Sequence, residues 1–242
     1  MTLPRGILLD IEGTTSSVSF VFDVMFPFVR RELSAFLRQH WREEGLAQAC
    51  EMIAKDAGAT SFAAWCEKNN ASHENQQREL LEQEVARLMD GDVKATGLKQ
   101  LQGLIWESGF ASGELKAHVY NDIPPALSRW NTAGKDVRIY SSGSIQAQKL
   151  FFGHTVCGDL LHQFRGHYDT TIGSKREKES YSRIAKEFNL PPAEILFVSD
   201  IVAELDAAGA VGLQTRLAIR PGNAAQPCGH NHLEIHSFAE IE

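Results

Sequence analysis

Residues 6–15 read GILLDIEGTT, and the rest of the chain can be placed around them. Ile7, Leu8 and Leu9 form a continuous apolar run, which predicts a strand buried on both faces of a parallel sheet. The run ends in Asp10 and Glu12, followed by Gly13 and two threonines. In open α/β sheets, ligands bind just beyond the carboxyl ends of the strands, so both carboxylates are expected at the mouth of that crevice. Two acids one residue apart on such a turn suit packing poorly. They suit holding a hard cation such as Mg²⁺ and attacking a phosphorus atom. Taken alone, the pattern also fits a strand end carrying two solvated acids, and three later stretches decide between the two.

Beyond this turn the pattern becomes helical. Phe22, Phe26, Val29, Leu33 and Phe36 recur at spacings of three and four, which predicts an amphipathic helix with Pro27 in its first turn. Further helices are predicted over 46–57 and 61–67, around Leu81, Val85 and Leu88, and from Leu98 to a close near Gly109. From 16 to about 120 the sequence offers no convincing strand. At Asp122 the character changes: Pro124 and Pro125 lead into a helix, and 137–140 reads as a strand ending in Ser141, Ser142 and Gly143. A helix over 145–152, a strand near 167–171 and a helix over 178–188 follow. Then come a strand over 195–198 that runs into Ser199 and Asp200, a helix over 202–210 and a last strand over 212–219. This alternation predicts an α/β fold, a doubly wound parallel sheet interrupted after its first strand by an all-helical insertion. The expected division is a core of residues 1–15 and 121–242, with a helical cap over 16–120.

Parallel strands place their carboxyl ends on one edge of a sheet, so residues distant in sequence can meet there. Strand ends supply Asp10 and Glu12, Ser141 and Ser142, and Asp200, while the loop before helix 178–188 supplies Lys175. The chemistry suggests the roles. Asp10 would attack phosphorus and form an aspartyl-phosphate. Mg²⁺ held by Asp10 and Asp200 would screen the repulsion between a carboxylate and a phosphate dianion. Ser141 and nearby backbone N–H groups would bind phosphate oxygens, Lys175 would add a fixed positive charge, and Glu204 could orient that lysine. Each residue taken singly has a plainer reading: a serine turn, a solvated lysine, a helix N-cap. Their order along alternating strands favours the joint one.

The totals exclude other classes. The 242 residues carry 43% hydrophobic and 23% charged residues, an ordinary globular composition, which sets disorder aside. No apolar run reaches the ~18 residues that span a bilayer, so no membrane partner is expected. The N-terminus runs directly into the first strand, and a cytoplasmic protein is expected. A net charge of −7 argues against a nucleic-acid partner. The cysteines, Cys50, Cys66, Cys157 and Cys228, are scattered and expected to be reduced thiols.

At this point the chain resembles the haloacid-dehalogenase-superfamily phosphatases with a helical cap after the first strand. More narrowly, it resembles the enolase-phosphatases of methionine salvage. The resemblance rests on DIEGTTS (10–16), IW..GF.SGELK (105–116), IYSSGS (139–144), IGSK..ESY (172–181) and ILFVSD (195–200), which together cover nearly the whole chain. It implies a monomeric enzyme with one Mg²⁺ per subunit, acting on a small phosphate ester, 2,3-diketo-5-methylthiopentyl-1-phosphate. Enolisation would precede hydrolysis of the phosphate. It further implies that the backbone carbonyl of Glu12 joins Asp10 and Asp200 at the metal, while the Glu12 carboxyl serves as acid and base. The chain departs from the superfamily pattern at Glu12, where Asp is usual although the enolase-phosphatases have Glu. It departs again at Ile201 and Glu204, where a second Asp is often found, and Glu204 is assigned no direct coordination.

Two weaker constellations have plainer readings. Cys228, His230 and His232, with His236 nearby, have metal-ligand spacing but no fourth ligand at a finger spacing, and a solvated loop is favoured. Trp106 and Phe110 sit at helical spacing and are expected to pack the cap. Two alternative functions stay open: a capped phosphatase of another small ester, and a signalling receiver that accepts phosphate on Asp10 without turnover. Receivers are compact single domains, so the insertion weighs against the second. A dehalogenase is disfavoured because it has no use for Glu12 or for magnesium.

Overall fold

A computed structural model of the chain describes residues 3–227 and 229–242. Cys228, and with it part of the 228–232 constellation, lies outside the described residues. The chain divides into two compact units, Met1–Phe22 with Lys116–Glu242, and Asp23–Leu115.

The first unit holds six strands in chain order: β1 (Gly6–Leu9), β2 (Asp136–Tyr140), β3 (Gly166–Tyr168), β4 (Ile195–Ser199), β5 (Gln214–Ala218) and β6 (Leu233–Ile235). They form one sheet in the order β3-β2-β1-β4-β5-β6, and every neighbouring pair is parallel. The residue types explain the placement. Ile7, Leu8 and Leu9 are wholly buried, as a central parallel strand covered on both faces requires. Leu9 lies opposite Ile139 on one side and Val198 on the other. The helices of this unit precede or follow the strands, at Ile123–Thr132, Ile145–Gly153, Lys178–Phe188 and Val202–Gly209. Leu8, Tyr140, Tyr181, Ile184, Phe197 and Leu205 are among the residues of one apolar cluster. Each such fully buried side chain contributes roughly 1.5–3 kcal/mol relative to exposure.

The second unit is helical: α1 (Phe26–His40), α2 (Glu44–Asp56), α3 (Phe62–Lys68), α4 (Glu74–Asp90) and α5 (Thr96–Ala111). Its tightest approach is between α2 and α5. A Cβ on Gly97 would come within 2.4 Å of the Ile53 backbone nitrogen, so only glycine lets α5 start there. The Gly97 N–H also donates to the Asp56 carboxylate at 2.8 Å, which caps α5 from the end of α2. Trp106 and Phe110 are buried, and the indole N–H of Trp106 donates to the Met25 carbonyl at 3.0 Å. They pack this unit, as expected.

Three local expectations need correction. The strand expected near 167–171 is Gly166–Tyr168. The chain turns at once because the Asp169 carboxylate accepts from the Thr171 N–H and hydroxyl, at 2.9 and 2.6 Å. The first helix of the insertion is preceded by a π-helical turn, Phe20–Met25. That turn changes the phase, so Phe22 is exposed, and Met25 and Phe28 join Val29, Leu33 and Phe36 in the buried stripe. The last strand, β6, lies beyond the strand expected last, over 212–219. Among the described residues, no helix is long and apolar enough to cross a membrane.

Candidate active site

The order 3-2-1-4-5-6 reverses direction between β1 and β4, and such a switch point opens a crevice at the strands' carboxyl ends. Asp10 leaves β1 there and Asp200 leaves β4 there. The two strands stay in register to the end, since the Asp10 N–H donates to the Val198 carbonyl at 3.1 Å. Gly13 then turns the chain at a φ of +70°. A Cβ at this glycine would lie 2.2 Å from Asp200 Oδ2, so the backbone reaches the Asp200 carboxylate only because there is no side chain.

Lys175 Nζ stands 2.7 Å from Asp10 Oδ1 and 2.7 Å from Glu204 Oε2, bridging the two acids. Its loop is pinned by hydroxyls. Tyr140 donates to the Gly173 carbonyl at 3.0 Å, Ser180 to Ser174 at 2.8 Å, and Tyr181 to Lys175 itself at 2.7 Å. Asp10 Oδ1 also accepts from the Ile11 N–H at 2.7 Å, whereas among the described residues Oδ2 meets only the Ser199 hydroxyl at 3.5 Å. The second oxygen therefore keeps the freer lone pairs. The Ser141 hydroxyl donates to Glu12 Oε2 at 3.3 Å and accepts from the Gly143 N–H at 3.2 Å. Ser142 follows, half-buried, on the same turn.

Burial, reinforced by the Asp10 charge, raises the Glu12 carboxyl above its ordinary range and pushes Asp200 and Glu204 up to about 7. Burial opposes the Lys175 ammonium, but Asp10 and Glu204 outweigh it and hold the amine charged. The cluster is thus rich in carboxylate and short of positive charge, which is the electrostatic setting of a cation site. The donors are hard oxygens, as Mg²⁺ prefers. Among the described residues, no three His, Cys, Asp or Glu side chains form a ready-made cage. Asp10 and Asp200 fit a cation that binds through one or two carboxylates, water and a substrate phosphate. Glu204 instead pairs with Lys175.

The structure brings Asp10, Lys175 and Glu204 into one ion-paired group and bonds Ser141 to Glu12, with Asp200 against Gly13. It adds three residues that sequence reasoning missed. Ser199 donates to Glu204 at 2.8 Å and accepts from the Ile201 N–H at 3.2 Å. Arg220, buried, donates to the Thr14 carbonyl at 3.1 Å and to Asp122 Oδ2 at 2.9 Å. Asn223 donates to the Gly13 carbonyl at 2.9 Å. Ser199 reads in sequence as an ordinary strand end, and the Pro221-Gly222 turn masks Arg220 and Asn223.

This arrangement, an acid beyond the first strand with a lysine and a second acid brought to it by later strands, defines a class of aspartate-centred hydrolases. A model of haloacid dehalogenase-like hydrolases matches residues 4–212. The chain is 46% identical to enolase-phosphatase E1 of Pseudomonas syringae pv. syringae, over 98% of this chain and 97% of that one. It is 42% identical to enolase-phosphatase E1 of Synechococcus elongatus over the whole of both. Among solved structures, the UTR4 protein of Saccharomyces cerevisiae superposes with a TM-score of 0.79 at 33% identity, covering 98% of this chain and 100% of that one. The chain belongs to the haloacid dehalogenase-like hydrolases and, within them, to the enolase-phosphatases.

Proposed function

We propose that the protein converts 2,3-diketo-5-methylthiopentyl-1-phosphate to the acireductone 1,2-dihydroxy-3-keto-5-methylthiopentene and inorganic phosphate, a cytoplasmic step of methionine salvage carried out by a monomer. The observation that carries this reading is Lys175 bridging Asp10 and Glu204 beside Asp200, in a chain whose full-length relatives bear the enolase-phosphatase name.

Enolisation comes first and isomerises the diketone to an enol phosphate. Asp10 then attacks phosphorus, the P–O bond to the enol breaks, and the phosphoryl group is carried as an aspartyl-phosphate. Glu12, whose carboxyl burial and the Asp10 charge raise above its ordinary range, serves as the acid that gives a proton to the leaving oxygen. As a carboxylate, it next takes a proton from the water that opens the aspartyl-phosphate. Lys175 and the hydroxyl of Ser141, with Ser142 and the backbone N–H groups of their turn, receive the phosphate oxygens. For this, Ser141 would exchange its bond to Glu12 for one to the substrate. Mg²⁺, held by Asp10, Asp200 and the Glu12 carbonyl, would supply positive charge against the phosphate and the clustered acids.

The test is phosphate release from the diketone phosphate, followed together with ultraviolet detection of the enediol. Both signals should require Mg²⁺, vanish in excess EDTA and return when Mg²⁺ is restored. Phosphate release that survives thorough chelation would remove the metal from the mechanism. Turnover of other small esters without any enediol would reduce the protein to a capped phosphatase of a different substrate.

A further inference from the structure

The Asn223 side chain is oriented by two carbonyls. Its amide nitrogen donates to Gly13 O at 2.9 Å and, more weakly, to Ala218 O at 3.3 Å. Both contacts are acceptors, so the NH₂ end must face them and the oxygen must face the other way. That oxygen, Oδ1, is buried and accepts no hydrogen bond from the described residues. A buried acceptor without a donor is costly, and in a native fold it calls for a reason. The place where Oδ1 points supplies one. It lies 3.0 Å from the position a Gly13 Cβ would take, and Asp200 Oδ2 lies 2.2 Å from that same position. The two oxygens therefore converge on the ground in front of Gly13. They come from separate segments, Asp200 after β4 and Asn223 from the turn after β5.

We propose that Asn223 is a positioning residue for the cation site. Its nitrogen braces the Gly13 turn, and its oxygen accepts from a water on the cation side of Asp200. Residues that support metal ligands in this way typically alter metal affinity by 10–100-fold when they are replaced. The inference rests on the Mg²⁺ reading of the site above. It adds a residue from outside the family model's match, which ends at residue 212.

The two ends of the amide make different predictions, so two variants separate them. Asn223→Ala removes both ends. Asn223→Asp keeps an oxygen where Oδ1 stands and loses the donor to Gly13. Mg²⁺ alone is titrated calorimetrically into the full-length protein without substrate, and the unfolding midpoint of each metal-free protein is recorded. Both variants should unfold at lower temperature than the parent. Only Asn223→Ala should bind Mg²⁺ more weakly, by about tenfold or more, while Asn223→Asp should bind it as tightly as the parent or more so. A residue that merely braced the loop would lower both midpoints and leave both affinities alike. Affinities within twofold of the parent in Asn223→Ala, or an equal loss in both variants, overturns the proposal. If Asn223→Ala does not fold, a weakened Asn223→Asp overturns it by itself. If the parent binds no Mg²⁺, the failure lies in the metal reading and takes this inference with it.

Discussion

Around Asp10 stand the buried residues Asp200 and Glu204 and the half-buried Glu12, and one lysine pairs with Asp10 and Glu204. Residues 23–115 instead bury Leu37, Ile53, Leu81, Val85 and Leu101 completely, and keep ion pairs such as Arg30–Asp90 at the surface. Burying several carboxylates together opposes folding, and one ammonium does not compensate for them all. A fold that keeps such a cluster gives up stability for chemistry. The helical unit gives up nothing comparable, since its surface pairs contribute little and its apolar contacts carry the stability. The two regions should therefore respond to substitution in different measurements.

The largest effect should come from Asp10→Asn. An amide cannot form the acyl-phosphate, so phosphate release should fall roughly 10⁴-fold or more, while the unfolding midpoint shifts by no more than a few degrees. A collapse of the fold in this variant would break the contrast, because the acid would then be structural. Glu12→Gln should cost roughly 10²–10⁴ in rate and leave phosphoryl transfer to Asp10 possible with a good leaving group. Rapid quenching should then trap protein-bound phosphate. Near-parental turnover with no trapped phosphate would move the acid–base role elsewhere.

In the helical unit, Gly97→Ala should show the opposite pattern. The new methyl group would meet the α2 backbone, an overpacking that costs about 1–3 kcal/mol, measured by urea denaturation. Phosphate release per folded molecule should stay near the parental value. Loss of rate at unchanged stability would show that α5 serves the chemistry directly.

The smallest effect concerns pH. Burial, with a lesser contribution from Lys149, lowers the His167 pKa from 6.5 to about 4. The folded protein thus holds this imidazole neutral while the unfolded chain takes up a proton below about 6.5. Stability should fall as pH drops from 6.5 towards 4 and level off below that. His167→Gln should flatten this part of the profile, as read from denaturation midpoints at pH 7 and pH 5. An unchanged slope would assign it to the carboxylates instead.

The sheet was readable because its strands are short apolar runs that stop at polar turns, and Ile7, Leu8 and Leu9 needed no tertiary information. β6 was not readable. Leu233, Glu234 and Ile235 are too few to alternate, and two of the three are exposed. The acids and Lys175 stood out because charge at a strand end is conspicuous. Asn223 and Arg220 did not, because a turn containing Pro221 and Gly222 accounts for polar neighbours without invoking a site. Glu204 shows a further limit. Its place one turn past Asp200 was plain, but its partner was fixed only when the loop at 172–177 was folded back by Tyr140, Ser180 and Tyr181.

The central position of β1 has a consequence for how the chain is made. Gly6 pairs with Asp136 and with Ile195, both synthesised long after it. At ~5–20 residues per second, β1 waits on the order of ten to forty seconds for β4. Asp23–Leu115 is a single uninterrupted length of chain, complete before either neighbour of β1 exists. A ribosome paused at residue 115 therefore holds every residue of one unit and a single strand of the other, the apolar run of Ile7, Leu8 and Leu9 followed by Asp10 and not yet shielded by its sheet.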